Sequence, residues 1–286
     1  MKRALGLILL LFGCLCVNAQ SDTITSPVEK PKPTAPWFVQ RFKVAAGAFV
    51  PINNTQIEVG SQNGSFGTTI DFENDLGYSK TTGTFLGDLQ WRISRRSRLD
   101  FSYYHIDRNS SHKLQKDIEF KDHIYPVNAT ATSYFNTDIF RLSYGYAFFS
   151  RPRFEAGMLI GAHIVKAGVG LSATGTAGNI DKKDDFGFTA PLPDVGLWGG
   201  YVIAPRWSIN GEISYLALKV DNVDGRLINY NISVMYEVLS HFTLALGYTG
   251  LNFRVDVDKE KFKGFFKWGY NGPSLVAAYS FGKKKW

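Results

Sequence analysis

The sequence predicts an all-β protein built as a single antiparallel transmembrane β-barrel, and three observations lead there. Segments of about ten residues alternate apolar and polar side chains across residues 38 to 281, the period of a strand with one face on lipid and the other on a polar lumen. Beyond the leader, no apolar run reaches the roughly 20 residues that a spanning helix requires. The links between segments fall into a tight class and a long polar class, as they do at the two ends of a membrane barrel.

The chain opens with Lys2 and Arg3, an apolar run from Ala4 to Val17, and Val17-Asn18-Ala19 before Gln20. That layout is a secretory signal peptide over residues 1–19, cleaved after Ala19. Leu11-Phe12-Gly13-Cys14 offers a second reading, a lipoprotein processing box acylated at Cys14, from which Phe12 departs. Both cysteines, Cys14 and Cys16, lie in this leader, so the processed chain is expected to hold no disulfide, thiol nucleophile or thiolate metal site. The formal charge of +7 includes the leader's Lys2 and Arg3, leaving +5 spread along the rest. Nucleic-acid binding needs a concentrated basic patch, and Lys283, Lys284 and Lys285 read as a solvated tail. Residues 20–36, QSDTITSPVEKPKPTAP, carry four prolines and little apolar pattern, which reads as an extended periplasmic tether ahead of a barrel over 37–286.

The alternation can be followed strand by strand. Leu99, Phe101 and Tyr103 oppose Arg98, Asp100 and Ser102, while Phe140, Leu142, Tyr144, Tyr146 and Phe148 oppose Arg141, Ser143, Gly145 and Ala147. Phe154 to Ile164, Trp207 to Tyr215 and Tyr230 to Tyr236 behave alike, with Leu159 an exception. Strands are expected at about 38–50, 85–94, 97–108, 134–149, 152–168, 190–203, 206–220, 225–238, 241–256 and 262–281, ten in all. Strand-like runs within 54–72 and 112–131 leave eight or twelve open. An even number puts both chain ends on the periplasmic side, and closure of first strand on last removes edges that lipid cannot satisfy. A soluble β-sandwich also alternates. Against it stand the aromatics near strand ends (Trp91, Tyr103, Tyr144, Phe148, Trp207, Tyr236, Phe281) and the asymmetry of the links. Tight turns are expected near Ser94-Arg98, Ser150-Phe154, Ala204-Trp207 and Leu239-Phe242, and long outward loops at 51–84, 109–133 and 171–188.

The Ala19-Gln20 junction, the strand pattern and the final Leu275-Val276-Ala277-Ala278-Tyr279-Ser280-Phe281 resemble the small outer-membrane β-barrel proteins of Gram-negative bacteria, and the junction is similar to those of Bacteroidota. The resemblance implies an outer-membrane location, with outer-membrane lipids and the assembly machinery as partners. That machinery reads a terminal aromatic, here Phe281 or, since five residues follow it, Trp286. Asp22-Thr23-Ile24 is similar to the O-glycosylation acceptor of Bacteroidota, and Ile70 to Gly77 to an acidic segment in barrels without assigned activity.

Inward positions include Lys43, Gln90, Asp194 and Glu237, together with a candidate lumen charge network of Arg41, Asp88, Arg92, Arg98, Asp100, Arg141, Glu155 and Glu212. In a narrow barrel opposite signs should pair, because an unpaired buried charge is costly. Asp71, Glu73 and Asp75 would share one side of an extended chain and form a weak Ca²⁺ candidate, without the glycine and distal Glu of an EF-hand. Of the five histidines only His163 falls on an inward face beside carboxylates, and none has catalytic or metal-ligand spacing. The expectation is a non-enzymatic barrel with a structural or surface-interaction role, no catalytic residues and no cofactor, its surface ligand unnamed by the sequence. A narrow pore for small solutes and a hydrolase at the barrel rim are the alternatives.

Overall fold

The computed structural model describes residues 35–60, 68–121, 123–174, 182–259 and 262–282. The leader, the tether to residue 34 with Asp22-Thr23-Ile24, and Lys283 to Trp286 lie outside them. The strands in chain order are β1 (Phe42–Phe49), β2 (Ile52–Val59), β3 (Ile70–Asp71), β4 (Thr84–Arg92), β5 (Ser97–Lys113), β6 (Ile118–Phe120), β7 (His123–Tyr125), β8 (Thr130–Ser150), β9 (Phe154–Thr174), β10 (Lys182–Ala204), β11 (Trp207–Val220), β12 (Val223–Leu239), β13 (Phe242–Lys259) and β14 (Phe262–Phe281).

Ten of them close a ring in the order β1-β4-β5-β8-β9-β10-β11-β12-β13-β14, antiparallel throughout, with β14 returning to β1 from Phe42↔Phe281 to Phe49↔Ser274. The expected tight turns are present. Arg151 N–H donates to the Phe154 carbonyl (2.8 Å), and the Arg151 carbonyl accepts from Phe154 (3.3 Å). Arg206 (φ 70°) and His241 (φ 77°) take the left-handed conformation that two-residue hairpins require. Short turns mark the periplasmic end.

At the other end the wall is taller than the sequence pattern suggested. Most of 109–133 and 171–188 outside the β6–β7 hairpin is not loop: β5 runs to Lys113, β8 starts at Thr130, β9 reaches Thr174 and β10 starts at Lys182. In 51–84, β2 prolongs β1 along β14 in one register, Phe49↔Ser274 and then Ile52↔Asn271. Pro51 sits at the interruption, and a Cβ on Gly272 would come within 2.1 Å of the Val50 carbonyl, so only glycine admits this approach.

The reason these stretches look like loops is that their amphipathicity inverts. On β8, Phe148, Tyr146, Tyr144, Leu142 and Phe140 point outward and are exposed; further out the same face carries Asp138, Asn136 and Thr132. The opposite face changes the other way, from Ser143 and Arg141 to Ile139 and Phe135. On β9, Met158, Ile160 and Ile164 face out below Lys166, whereas Val165, Ala167, Val169, Leu171 and Ala173 are buried within. The barrel is therefore two-tiered, with a lipid-facing belt around a polar lumen below and a water-facing collar around an apolar core above.

Two chain segments help fill that core. Residues 72–83 complete the wall between β2 and β5 without forming a strand: Phe72 N–H donates to Thr55 O, Thr82 N–H to Pro51 O, and the Ser110 hydroxyl to Leu76 O. The β6–β7 hairpin folds inward and buries Ile118, Phe120 and Tyr125. Tyr125 OH donates to Asp184 (2.7 Å) on β10, tying the hairpin to the rim.

Candidate functional site: a charged layer beneath an apolar chamber

Within the lower tier, inward charges carried by separate strands meet across the lumen. Arg92 on β4 forks onto both oxygens of Glu155 on β9 at 2.7 and 2.8 Å, and both side chains are buried. Arg98 holds Asp100 at 2.9 Å and Glu212 at 3.7 Å, while its guanidinium lies 3.7 Å from the Trp198 ring centre. Arg141 bridges Glu212 at 2.5 Å and Asp194 at 3.2 Å. Such buried pairs hold only when their geometry returns what desolvation takes, and the planar guanidinium fork does that best. Asp88 is the cross-strand neighbour of Ser102 and lines the same cavity as Lys43.

Of the sequence-predicted network, the fold brings Arg92, Arg98, Asp100, Arg141, Glu155 and Glu212 into ion pairs. Arg41 stays at the periplasmic rim, donating to Ile93 O (3.0 Å) and lying 5.7 Å from the Phe42 ring centre. A cavity of about 270 Å³, lined by apolar side chains as well as these charged groups, remains among them, with Asn229 and Asn231 also in its wall. Phe38 borders it too, and a Cβ on Gly200 would come within 2.7 Å of the Phe38 ring, so the residues ahead of β1 cork the periplasmic end.

The three acidic residues proposed for a cation do not converge. Their alternation presupposes extended backbone, but the chain turns directly after Asp71. Glu73 points inward to Thr55 N–H (2.9 Å) and Arg108 (2.6 Å). Asp75 accepts from Asp71 N–H and pairs with Lys116 at 2.8 Å, while Asp71 caps Asn74 N–H. Among the described residues no group of three or more His, Cys, Asp or Glu is placed to hold a metal.

His163 is fully buried where charged layer meets apolar core, 3.8 Å from Asp194, too long for a hydrogen bond. Two other histidines find carboxylates that spacing did not reveal: His105 with Asp138 at 2.9 Å, and His123 with Asp184 at 2.8 Å. Tyr103 and Tyr125 donate to those same carboxylates. Among the described residues no serine or threonine hydroxyl hydrogen-bonds either imidazole.

Above the charged layer, Phe135 packs against Phe72, Phe266 and Trp268 at ring separations of 5.7, 5.9 and 5.3 Å. Trp268 is fully buried and spends its N–H on Asn53 (3.3 Å). Arg108 fastens residues 72–80 into this core by binding Thr55, Glu73 and the Ser79 carbonyl. On the side of β10 to β14 the core is not filled: an apolar chamber of about 430 Å³ remains, with Phe188, Leu192, Leu216, Val255 and Phe266 in its walls. The sequence held a sign of it in Pro191-Leu192-Pro193, since proline inside a strand marks an unpaired edge.

A closed antiparallel ring, an apolar belt with aromatic margins and a lumen of paired charges define an integral outer-membrane β-barrel. No family model matches the chain, and no curated protein does. Among solved structures the chain is similar to the toluene transporter TodX of Pseudomonas putida (8% identity, TM-score 0.35, 86% of this chain and 92% of that one). It is also similar to the attachment invasion locus protein Ail of Yersinia pestis (10%, 0.31, 82% and 99%) and to Neisserial surface protein A (12%, 0.28, 84% and 97%). At these scores the role of the present chain rests on its own geometry.

Proposed function

We propose that this protein is a closed, non-conducting and non-enzymatic barrel of the Gram-negative envelope that acts through its cell-surface tier. One observation carries the reading: the outer half of the lumen is apolar, packed on the side of β2, β8 and β14 with Trp268, Phe135, Phe72, Ile57 and Ile139 fully buried, and walled by apolar side chains around the remaining chamber. Hydrated ions crossing it would shed their water against hydrocarbon, at a cost of several kcal/mol or more. The polar collar and the inward-folded β6–β7 hairpin then form the part that meets other molecules, and outer-membrane lipids and the assembly machinery remain the expected partners. Origin in Bacteroidota rests on the Ala19-Gln20 junction.

Planar-bilayer recording tests this directly, with no conductance steps expected from the wild-type protein. Reproducible single-channel steps would overturn it in favour of a narrow pore. Against the rim hydrolase, unchanged lipid A and peptide profiles are expected on deletion of the protein.

A further inference from the structure

β10 and β11 are paired only over their periplasmic halves. The ladder ends at Val195↔Tyr215, and from there β10 continues to Lys182 and β11 to Val220 without pairing to one another. Pro191 and Pro193 account for this. β10 keeps an unbroken ladder with β9 through both of them, as Pro191↔Ile164 and Pro193↔Ala162. Successive residues of a strand turn their backbone groups to opposite edges. The prolines, which have no N–H to give, must therefore stand at the positions that face β11.

This seam leads into the apolar chamber. Pro191, Pro193, Leu216 and Leu218 border it at the seam, and Val255 and Phe266 lie deeper. Among the described residues Glu58 is the only ionisable side chain lining it. The volume, about 430 Å³, falls in the range of ligand pockets, roughly 300–1,000 Å³. Height decides the occupant. Pro193 and Pro191 stand level with Ala162 and Ile164, the last apolar lipid-facing positions of β9 below Lys166. Across the seam Tyr215 and Leu218 are exposed. The mouth is thus continuous with the barrel's lipid interface at the outer-leaflet edge, and the matter in contact with it is hydrocarbon.

We propose that the seam between β10 and β11 is a lateral port through which one acyl chain of an outer-leaflet lipid lodges in the chamber. This goes beyond the closed-barrel reading, since a chain held from the side requires no path along the barrel axis. The test reconstitutes the full protein in phosphatidylcholine vesicles doped with a phosphatidylcholine whose acyl chain bears a terminal diazirine, followed by photolysis and peptide mapping. Adducts are expected on Leu216, Val255 and Phe266 as well as on belt residues such as Leu246. Adducts confined to the belt would overturn the proposal, as would inner adducts formed by a diazirine fatty acid but not by the lipid.

Two variants locate the effect. A Cβ on Gly225 would meet only Leu218 O at 3.7 Å and Leu192 Cδ2 at 3.9 Å, so Gly225→Trp can project into the chamber. It should lower inner adducts about tenfold, the equivalent of a single decade in affinity, with belt adducts and heat-dependent gel mobility unchanged. Pro191→Thr combined with Pro193→Thr returns both donors to the edge, favours closure of the seam and should also lower inner labelling. Inner labelling at the wild-type level in Gly225→Trp would refute the chamber, and in the double threonine variant would refute the port.

Discussion

Arg108 gives the sharpest test of the two-tier architecture, because one side chain holds residues 72–80 in place of a missing strand. Its guanidinium reaches Glu73 at 2.6 Å, the Thr55 hydroxyl at 2.9 Å and the Ser79 carbonyl at 2.8 Å, and it lies 4.9 Å from the Tyr78 ring centre. The Arg108 and Glu73 side chains are only 2% and 4% exposed. Burial also pushes the Tyr78 hydroxyl up to about 12, so this ring stays neutral beside the cation. Arg108→Met preserves the apolar stem and deletes every donor, leaving Glu73 buried with Thr55 N–H and hydroxyl alone. Breaking a buried ion pair costs about 3–5 kcal/mol. The two surviving bonds to Glu73 place the expected loss near the lower end, about 3 kcal/mol. Arg108→Met with Glu73→Gln removes both charges together and should cost about 2 kcal/mol less than the sum of the single changes, within the span observed for contacting pairs. The assay is urea unfolding of the vesicle-inserted protein, followed by tryptophan emission and gel mobility, alongside proteolysis of residues 72–83 from outside the vesicle. Additivity within about 0.5 kcal/mol, or an unchanged cleavage rate in Arg108→Met, would refute the latch.

The remaining predictions concern the other parts of the barrel. Trp268→Ala should destabilise by about 3–5 kcal/mol, as emptying a buried aromatic site does, whereas lipids brominated on the acyl chain should quench Trp207 and spare Trp268 in single-tryptophan variants; the reverse quenching pattern would invert the assignment of faces. Arg141→Met strands the buried Asp194 and leaves Glu212 with Arg98 alone at 3.7 Å, and should cost about 3–5 kcal/mol in the same unfolding assay, while Arg141→Lys recovers only part because a point charge cannot span both carboxylates. Millimolar Ca²⁺ should leave the wild-type thermal unfolding midpoint where it is, since Asp71, Glu73 and Asp75 do not converge on one point; a rise of several degrees, abolished by Asp71→Asn, would restore the cation site.

The lower tier was legible in the sequence because there the chain obeys one rule over many residues. Leu99-Phe101-Tyr103 and Phe140 through Phe148 alternate against lipid, and their polar partners Arg98, Asp100 and Arg141 had nowhere to point but inward. Which charges pair was less accessible. Arg92 and Glu155 sit on strands separated by two others, so their meeting depends on the width and stagger of the ring. The top of the upper tier, 109–113, 130–133, 171–174 and 182–188, escaped because there small side chains such as Ala131, Ser133 and Ala173 face the core while Thr132 and Ser172 face outward, and such an alternation resembles a polar loop. Glu73 groups with Asp71 and Asp75 only if the loop has extended backbone, and neither the turn after Asp71 nor the buried Arg108 that takes Glu73 inward has a local signal.

The position of the seam follows from the solvent on either side of it. In hydrocarbon an unpaired backbone N–H or C=O costs several kcal/mol, so a barrel wall can open only where those groups are absent or meet water. Below Val195 and Tyr215 the strands are flanked by lipid, and they stay paired down to Ala204↔Trp207 with one bulge between Val202 and Ala204. At the top of the belt, prolines at 191 and 193 remove two donors that separation of the strands would otherwise leave unsatisfied, and immediately above them the outer face turns polar with Thr189, Asp185 and Lys183. Closing the same seam with ordinary residues would add ladder bonds and seal the chamber, so the prolines stabilise the open wall relative to the closed one at the height where acyl chains end.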